Sequence, residues 1–523
     1  MFTLAECGLD EKEIKNLSGI PEGFDAYWLS RLVFDSAKSG KPIVHISRDD
    51  SRLRMLSESI SFFEPKLHKI IFPAWDCLPF DRISPRVDIV SQRLLALCEL
   101  LELEEKKPTL ILTTLNSSLQ RVPPRAALKG VARSIDVGCK NKIEDMILFL
   151  EMSGYTNSGN VMDVGEYAVR GGILDIFPAG QKFPVRMDFF GDEIESIKVF
   201  DPITQRSSEE IQACYIGPVG EIFLDADSIK RFQRGYRLNF GAVLDKDPLF
   251  EAVSEGHRYP GIENWLPLFY DSLETIFDYL PNGLVVLDHL FDKSLIDRIE
   301  SINDFYQARK SVDSGLVSDG ATIYKPLNPH QLYPSLEEWN GLLSERSVAK
   351  FVNFTPENSK NSQSISIGVK KCRDFTPERK QGPNILYTEL RKYIKKHTNL
   401  NRNFIIAAWS PGTRERLKRI FSENHIGPIV TIDEWSRMSS INKGSIGLTV
   451  LPMEQGFEAD DLVILAEQDI LGSRLNRNQR RRKQKAENFL TSISEIIEGD
   501  FVVHLDRGIG VYNGLVTIEA GGA

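Results

Sequence analysis

Short apolar stretches separated by longer helical patterns constrain the fold of this chain more than any other feature. Three such stretches lie at 42–47, 69–73 and 109–114, with a clear helical pattern over 89–104. Strands that alternate with helices predict a parallel sheet. A further apolar strand at 283–288 predicts that the same α/β domain resumes there, after an inserted unit.

A second group of apolar stretches predicts another, smaller α/β domain. Its strands are expected at 404–408, 447–451 and 462–466. A polar segment rich in serine and asparagine at 356–364 precedes this group and is typical of a loop or linker.

The predicted insertion is rich in β-structure between residues 165 and 206. In the strand 185–190 the odd-numbered residues are apolar and face one way, whereas Arg186, Asp188 and Phe190 face the other. A phenylalanine that shares a polar face with an arginine is typical of a protein-contact surface. Burial of Phe190 under a neighbouring domain is the alternative, and the strand pattern alone does not choose between them.

Composition limits the classes of protein to consider. A chain of 523 residues predicts three to five domains, and a net charge of −9 excludes nucleic-acid binding by the molecule as a whole. The six cysteines include no closely spaced pair, which disfavours a zinc site and predicts reduced thiols. The sequence contains neither a signal peptide nor an apolar run of membrane-spanning length, so we expect a cytoplasmic protein.

Catalytic chemistry has little support in the sequence. The segment that would hold a phosphate loop contains Gly19, Glu22 and Gly23 but no lysine followed by serine or threonine, and the Glu22 carboxylate would repel phosphate. The acidic residues between 188 and 195 are predicted to be solvated instead of binding a metal. The histidines are dispersed and match no hydrolase motif, so no catalytic residue and no metal site are predicted.

One segment is strongly basic. Residues 474–485 contain seven lysines and arginines and no acid, including Arg480, Arg481, Arg482 and Lys483. A solvated helix between domains and a contact with nucleic acid or an acidic partner both remain open. The tail at 499–512 is β-like, with too few strands to close a sheet.

Six blocks of sequence, in order along nearly the whole chain, resemble the bacterial transcription-repair coupling factor family (Mfd). They lie at 19–26, 72–85, 119–125, 165–206, 265–280 and 499–514. The resemblance implies an α/β multidomain fold: a UvrB-like parallel α/β domain with an inserted β-rich UvrA-binding domain, a second small α/β domain and the start of a Tudor-like β-barrel.

The family architecture divides the chain into seven segments. These are the UvrB-like domain at 1–125 and 216–350, the UvrA-binding domain at 126–215, a linker at 351–384, the small α/β domain at 385–470, a basic linker helix at 471–494 and a truncated RNA polymerase-interacting β domain at 495–523.

The resemblance also assigns roles to residues. Positions matching the family's UvrA-facing residues are Arg170, Arg186 and Phe190, and Gly19, Glu22 and Gly23 correspond to a degenerate nucleotide loop. The RNA polymerase β subunit is expected at Val502, Val503, His504 and Leu505, with weak or lost binding because the barrel is incomplete.

The full-length family recognises RNA polymerase stalled at DNA lesions, releases it by ATP-driven DNA translocation and recruits UvrA for nucleotide excision repair. The sequence contains no Walker A lysine motif and no DExx motif in the context of a motor domain. We therefore expect a fragment that acts as a non-catalytic adaptor, without the ATP, magnesium and DNA that the full-length family uses, and without a membrane partner. A UvrB-like helicase or nuclease component and a DNA-binding module are the open alternatives.

Overall fold

The structure is a computed structural model of the chain. It describes residues 3–9, 11–104, 106–243, 247–313, 324–352, 364–440, 442, 444–472, 501–504 and 508–511. No helix within these ranges is both long enough and apolar enough to cross a membrane.

The first α/β region contains strands β1 (Ile14–Ser18), β2 (Ile43–Ser47), β3 (His68–Phe72) and β4 (Thr109–Thr114), and helices α1 (Phe24–Lys38), α2 (Asp50–Phe63), α3 (Val87–Leu101), α4 (Leu115–Ser118) and α5 (Arg125–Leu128). The β-rich unit follows with β5 (Arg133–Asp136), α6 (Ile143–Met152), β6 (Thr156–Asn157), β7 (Glu166–Arg170), β8 (Ile173–Ile176), β9 (Val185–Phe190), β10 (Glu193–Phe200), β11 (Ser207–Ile211) and β12 (Ala213–Ile216).

The chain then returns to the first region through α7 (Ala226–Phe240), α8 (Pro248–Ser254), α9 (Ile276–Tyr279), β13 (Leu284–Leu287), α10 (Phe291–Asp313), α11 (Pro329–Leu332), α12 (Leu336–Ser344), β14 (Val348–Val352) and β15 (Ser364–Ser366). The second α/β region contains β16 (Lys370–Lys371), α13 (Thr376–Gln381), α14 (Pro383–Asn399), β17 (Asn403–Ala408), α15 (Pro411–Glu423), β18 (Ile429–Thr431), β19 (Ile446–Val450), β20 (Phe457–Glu458), β21 (Leu462–Ala466) and α16 (Glu467–Leu471).

The first sheet confirms the predicted parallel α/β arrangement. Its strand order is β15-β1-β14-β13-β2-β4-β3, and every pair that the structure describes in it is parallel. Strands β2 and β4 are buried at every position. A strand covered on both faces needs a continuous apolar run, and such runs made both strands visible in the sequence.

The β-rich unit is a six-stranded sheet of order β11-β10-β9-β8-β7-β6, antiparallel except between β6 and β7. One face packs with α6 in an apolar core that includes Val185 and Met187. The fully buried residues of this core lie between Ile135 and Val219. The unit therefore supplies its own core.

The second sheet has the order β16-β20-β21-β17-β19-β18 and is parallel from β21 to β18. Its two faces belong to different cores. Ile406 on β17 packs with α14 and α15, whereas Ile405 packs in the same core as Leu29 of α1 and Leu56 of α2. Helices α1 and α2 thus form one layer between the two sheets.

Aromatic contacts join this layer to the second sheet. The rings of Phe24 and Phe457 lie 5.2 Å apart, and those of Tyr27 and Trp435 lie 5.7 Å apart. On the opposite side of α1, Trp28 lies 5.6 Å from Phe351 of the first sheet. A helix with apolar residues on all sides is typical of such a buried position.

The range 351–384, assigned above to a linker, contributes to both sheets. Strand β15 pairs with β1, and β16 pairs with β20. Between them the Ile367 amide donates to the Ser18 carbonyl at 2.9 Å, and the Val369 amide donates to the Gly19 carbonyl at 3.2 Å. Such short strands leave no side-chain periodicity in the sequence, so they were not predicted. The polar segment at 356–364, which is typical of a loop or linker, lies outside the described residues except for Ser364.

The polymerase-binding prediction falls on an antiparallel pair, β22 (Phe501–His504) and β23 (Gly508–Val511). Val502, Val503 and His504 lie on β22, whereas Leu505 is outside the described residues. The basic run, including Arg480, Arg481, Arg482 and Lys483, is also outside them.

Candidate protein-interaction site

The outer face of the six-stranded sheet brings together the three residues predicted to bind a protein. Arg170 lies opposite Ile173, which in turn lies opposite Asp188 on β9. Since directly opposed residues point to the same face, Arg170 joins Arg186 and Phe190 on the surface that carries Asp188. The period of two in β9 therefore predicted the face correctly, and the strand register adds Arg170.

Phe190 is the most exposed member of this surface. It ends β9 and is 81% exposed. Gly191 follows with a φ of +63°, a conformation that glycine adopts without strain, and it turns the chain into β10. A solvent-exposed aromatic ring on a two-stranded hairpin is well placed to bind a partner protein. Among the residues that the structure describes, no neighbouring domain covers the ring.

Arg170 is exposed at the end of β7. Its Nη2 donates to the Gly159 carbonyl at 2.6 Å and also contacts the Asn160 side chain. These bonds fix the guanidinium beside the 159–160 loop while its remaining donors face solvent. Arg170 thus offers a pre-oriented positive group on the same face as Phe190.

Arg186 differs from Arg170 because its charge already has a partner. Its Nε and Nη2 donate to the two carboxylate oxygens of Asp175 at 2.7 and 2.8 Å, and Asp175 is buried. The hydrogen bonds that Arg186 donates to Asp175 raise the pKa of Arg186 above its ordinary value. The guanidinium also lies 4.9 Å from the Phe200 ring and donates to the Gln205 carbonyl at 3.4 Å. Arg186 therefore supports the surface more than it projects from it.

Sequence reasoning missed Asp175 as the partner of Arg186. The two residues are directly opposed on β8 and β9, a relation that depends on the register. Asp175 follows Ile173 by two positions, so a period of two puts both residues on the same face of β8. That signal indicates a face but not a partner.

The segment assigned above to a degenerate nucleotide loop lies at the carboxyl ends of β1, β2 and β13. Glu22 accepts two bonds from Arg48, at 2.7 and 3.1 Å. Asp25 accepts the amides of Gly23 and Ala26 at 3.0 and 2.8 Å, at the start of α1. Amides at a helix N-terminus are the groups that bind a phosphate in a nucleotide site. Here a carboxylate of the chain takes that place.

Arg52 completes this cluster beneath the loop. It forms a salt bridge with Asp25, and its Nε lies 3.6 Å from an Asp288 oxygen. Burial alone would raise the pKa of Asp288, but the His289 hydrogen bond and the Arg52 charge outweigh it and hold that pKa well below its usual range. Ligand atoms of Asp25, Asp288 and His289 lie within 4.8 Å of one another. Arg52 already supplies the positive charge there, so we assign no metal to the cluster.

The second sheet covers the loop from outside. A Cβ atom at Gly19 would lie 2.9 Å from the Gly368 amide nitrogen, and one at Gly23 would lie 3.1 Å from Met453 Cε. At Gly19 the near atom is backbone, so only glycine allows this approach, and at Gly23 the φ of +103° also favours glycine. Gly19 and Gly23 therefore serve the contact between the two α/β regions in this structure.

His45 lies close to Asp288 and His289, and its burial leads us to expect a loss of stability in acid. His45 is fully buried, its Nδ1 lies 3.2 Å from Ser47 Oγ, and burial lowers its pKa from 6.5 to about 4. Above pH 6.5 the folded and unfolded states both hold a neutral imidazole; below it the unfolded state binds a proton first. Stability is therefore complete above pH 6.5 and should fall by about 3 kcal/mol as the pH approaches 4.

Urea unfolding at a series of pH values measures this loss. We expect His45→Leu to remove the loss of about 3 kcal/mol that His45 contributes between pH 6.5 and about 4. His257→Leu is the matched control, because His257 is exposed and should leave the dependence intact. A His45→Leu protein with the wild-type pH dependence would contradict the assignment.

Comparison with known proteins gives a match for the β-rich unit and another for the second α/β region. Residues 134–221 match the family model described as the UvrB interaction domain, and residues 394–470 match the one described as MFD, D3 domain. The transcription-repair-coupling factor of Haemophilus influenzae is 30% identical over 517 residues, which cover 97% of this chain and 43% of that protein. That of Escherichia coli is 30% identical over 92% of this chain and 40% of its own length. The chain thus spans less than half the length of these relatives.

Proposed function

The chain belongs to the transcription-repair-coupling factor family, whose N-terminal part it matches, and on this premise we propose that it recruits UvrA to nucleotide excision repair at transcribed genes. The observation that carries the proposal is the exposed Phe190 ring on the same sheet face as Arg170, in the domain matched as the UvrB interaction domain.

The chemistry of the surface supports a protein partner. Aromatic residues and arginines are the commonest anchors of protein interfaces, and they act best when held rigidly before binding. Phe190 is held on a hairpin, and Arg170 is fixed by the 159–160 loop. Arg186 acts as a positioning residue in this proposal, because its bonds tie β9 to Asp175 on β8 and to the Gln205 carbonyl in the turn between β10 and β11.

Titration calorimetry with purified UvrA tests the proposal. We expect Phe190→Ala to weaken binding by about 2–4 kcal/mol, which corresponds to about 30- to 1,000-fold in Kd. Ile203→Ala is the matched control: Ile203 is also 81% exposed but lies beyond the opposite end of β10. Equal losses from the two variants would indicate nonspecific contact and contradict the site.

The double variant Arg186→Ala, Phe190→Ala extends the same test. We expect it to abolish measurable UvrA binding, and retained binding would refute the assignment of this face. Thermal unfolding of the Arg186→Ala protein should also show a loss of stability, because Asp175 is left buried without its cation.

Further roles are proposed for the loop and the tail. We propose that the 19–23 loop serves domain packing and binds no nucleotide. The ion pair of Glu22 with Arg48 supports this proposal, and ATP turnover by the chain would contradict it.

We also propose that the β22–β23 pair contributes to a contact with the RNA polymerase β subunit. Unchanged polymerase binding after deletion of residues 501–511 would exclude that contact.

A further inference from the structure

Helices α14 and α15 carry an excess of positive charge on the second α/β region. Together they contain eight lysines and arginines against three glutamates, in a chain whose net charge is −9. The two arginines and the exposed aromatic residue of the interaction site lie on a different domain, the β-rich unit. The function proposed above leaves these charges without a role.

The two helices lie side by side on one face of the second sheet. Leu390 of α14 and Leu417 of α15 are buried in the same core. Tyr387 packs against that core from α14. Burial raises the pKa of Tyr387, the nearby Arg416 of α15 lowers that pKa, and Glu423 of the same helix raises it. Tyr387 therefore marks the seam between the helices, and Arg416 lies across it.

Four exposed cations border this seam. Arg391 and Lys395 follow Tyr387 at one-turn intervals on α14, and Arg416 and Arg419 lie one turn apart on α15. We call these four residues the basic face. Neighbouring helices pack about 8–10 Å apart and one turn rises about 5 Å, so the four charges occupy a compact area.

None of these four cations forms a salt bridge with any residue that the structure describes. Arg391 donates only within its own helix, to the Tyr387 carbonyl at 3.4 Å and to Thr388 Oγ1 at 3.3 Å. The adjacent Lys392 and Arg414, in contrast, pair with Glu389 and Asp433. Unpaired like charges held close together repel one another, so the basic face is electrostatically unfavourable without an anion.

Helix stability does not account for the basic face. Cations are favourable in the last turn of a helix, where they meet the negative end of the dipole. Arg391 lies in the middle of α14, and Arg416 lies in the first half of α15, nearer its positive end. The two arginines gain nothing from the dipole.

We propose that the basic face binds the phosphate backbone of duplex DNA. Protein partners require a buried apolar centre, but the exposed apolar residues near this face, Ile385 and Leu400, lie at opposite ends of α14, about 22 Å apart along the helix. Cations on rigid helices without an apolar centre match a phosphate backbone, which is read without base contacts. Glu423 limits the surface at the end of α15.

Salt-dependent binding of a short fluorescein-labelled DNA duplex to the full chain tests the proposal. The test variant replaces the four cations with glutamine (Arg391→Gln, Lys395→Gln, Arg416→Gln, Arg419→Gln). The control removes two exposed arginines and two exposed lysines elsewhere (Arg54→Gln, Lys66→Gln, Arg234→Gln, Lys293→Gln). Both variants change the net charge equally, and both retain residues 474–485.

We expect the test variant to reduce the slope of log K against log salt by about 3 to 4, and the control to retain the wild-type slope. Equal slopes for the two variants would overturn the proposal. Tighter binding of polyglutamate than of DNA, lost in the test variant, would assign the face to an acidic protein and also overturn it. Unchanged thermal unfolding of the test variant would show that the second α/β region is still folded, and unchanged UvrA binding would separate this result from the recruitment proposal.

Discussion

Replacing Arg93 with leucine is expected to lower the free energy of unfolding by about 3–5 kcal/mol. The Nε atom of Arg93 lies 2.7 Å from Glu221 Oε1, and both side chains are fully buried. Nη1 also donates to the Pro73 carbonyl at 2.6 Å and to Ser117 Oγ at 2.9 Å. Loss of the guanidinium would leave the Glu221 carboxylate buried without a cation, which is the costly case for a buried ion pair.

The double variant Arg93→Leu, Glu221→Leu separates the pair from its isolated charges. Removing both groups leaves no unpaired charge, so we expect the double variant to be more stable than either single variant. Urea unfolding measures all three proteins. Arg86→Leu is the control, since the Arg86–Asp88 pair is exposed and should change stability by about 0.5 kcal/mol or less. Additive losses in the double variant would show that the two residues do not act as a pair.

A fragment of residues 367–472, which contains the second sheet without α1 and α2, is expected not to fold cooperatively. Besides Ile367 at its first position, eight large apolar residues of this range lie in the core shared with the first region: Ile405, Ile432, Met438, Leu451, Met453, Phe457, Leu462 and Ile464. At about 1.5–3 kcal/mol each, their burial amounts to at least about 12 kcal/mol. Loss of even half of this burial free energy is comparable with the whole free energy of unfolding of a typical domain, about 5–15 kcal/mol.

Strong binding of an apolar dye and poor dispersion of the amide resonances would show that the 367–472 fragment does not fold cooperatively. Residues 134–221 provide the matched fragment, because the fully buried residues of their main core lie within that range. We expect the 134–221 fragment to unfold in one cooperative transition and the 367–472 fragment to show none. A sharp transition in both would mean that the second sheet does not depend on the α1–α2 layer.

The sequence predicted those strands whose burial requires apolar residues. Strands β2 and β4 are buried throughout and were expected at nearly their observed bounds. Strand β1, in contrast, contains the buried Lys15, which pairs with Glu13, so its apolar pattern is too weak to indicate a strand. Strand β15 spans three residues and pairs only at a sheet edge.

The candidate site shows the same limit. Periodicity placed Arg186 and Phe190 on one face, because a strand repeats every two residues whatever surrounds it. The partner of Arg186 depends on the pairing of β8 with β9, and the cluster of Arg48, Arg52 and Asp288 depends on strands far apart in sequence. Local patterns contain no information on such contacts.

The helical layer between the two sheets also sets an order of events during protein synthesis. Helices α1 and α2 leave the ribosome early, but the strands that cover their outer side end at Ala466. At typical rates of synthesis the intervening roughly 400 residues take about 20–80 s. For that time an apolar surface near the N-terminus remains open to solvent. The nascent chain is therefore expected to be a substrate for ribosome-associated chaperones until the second sheet closes over it.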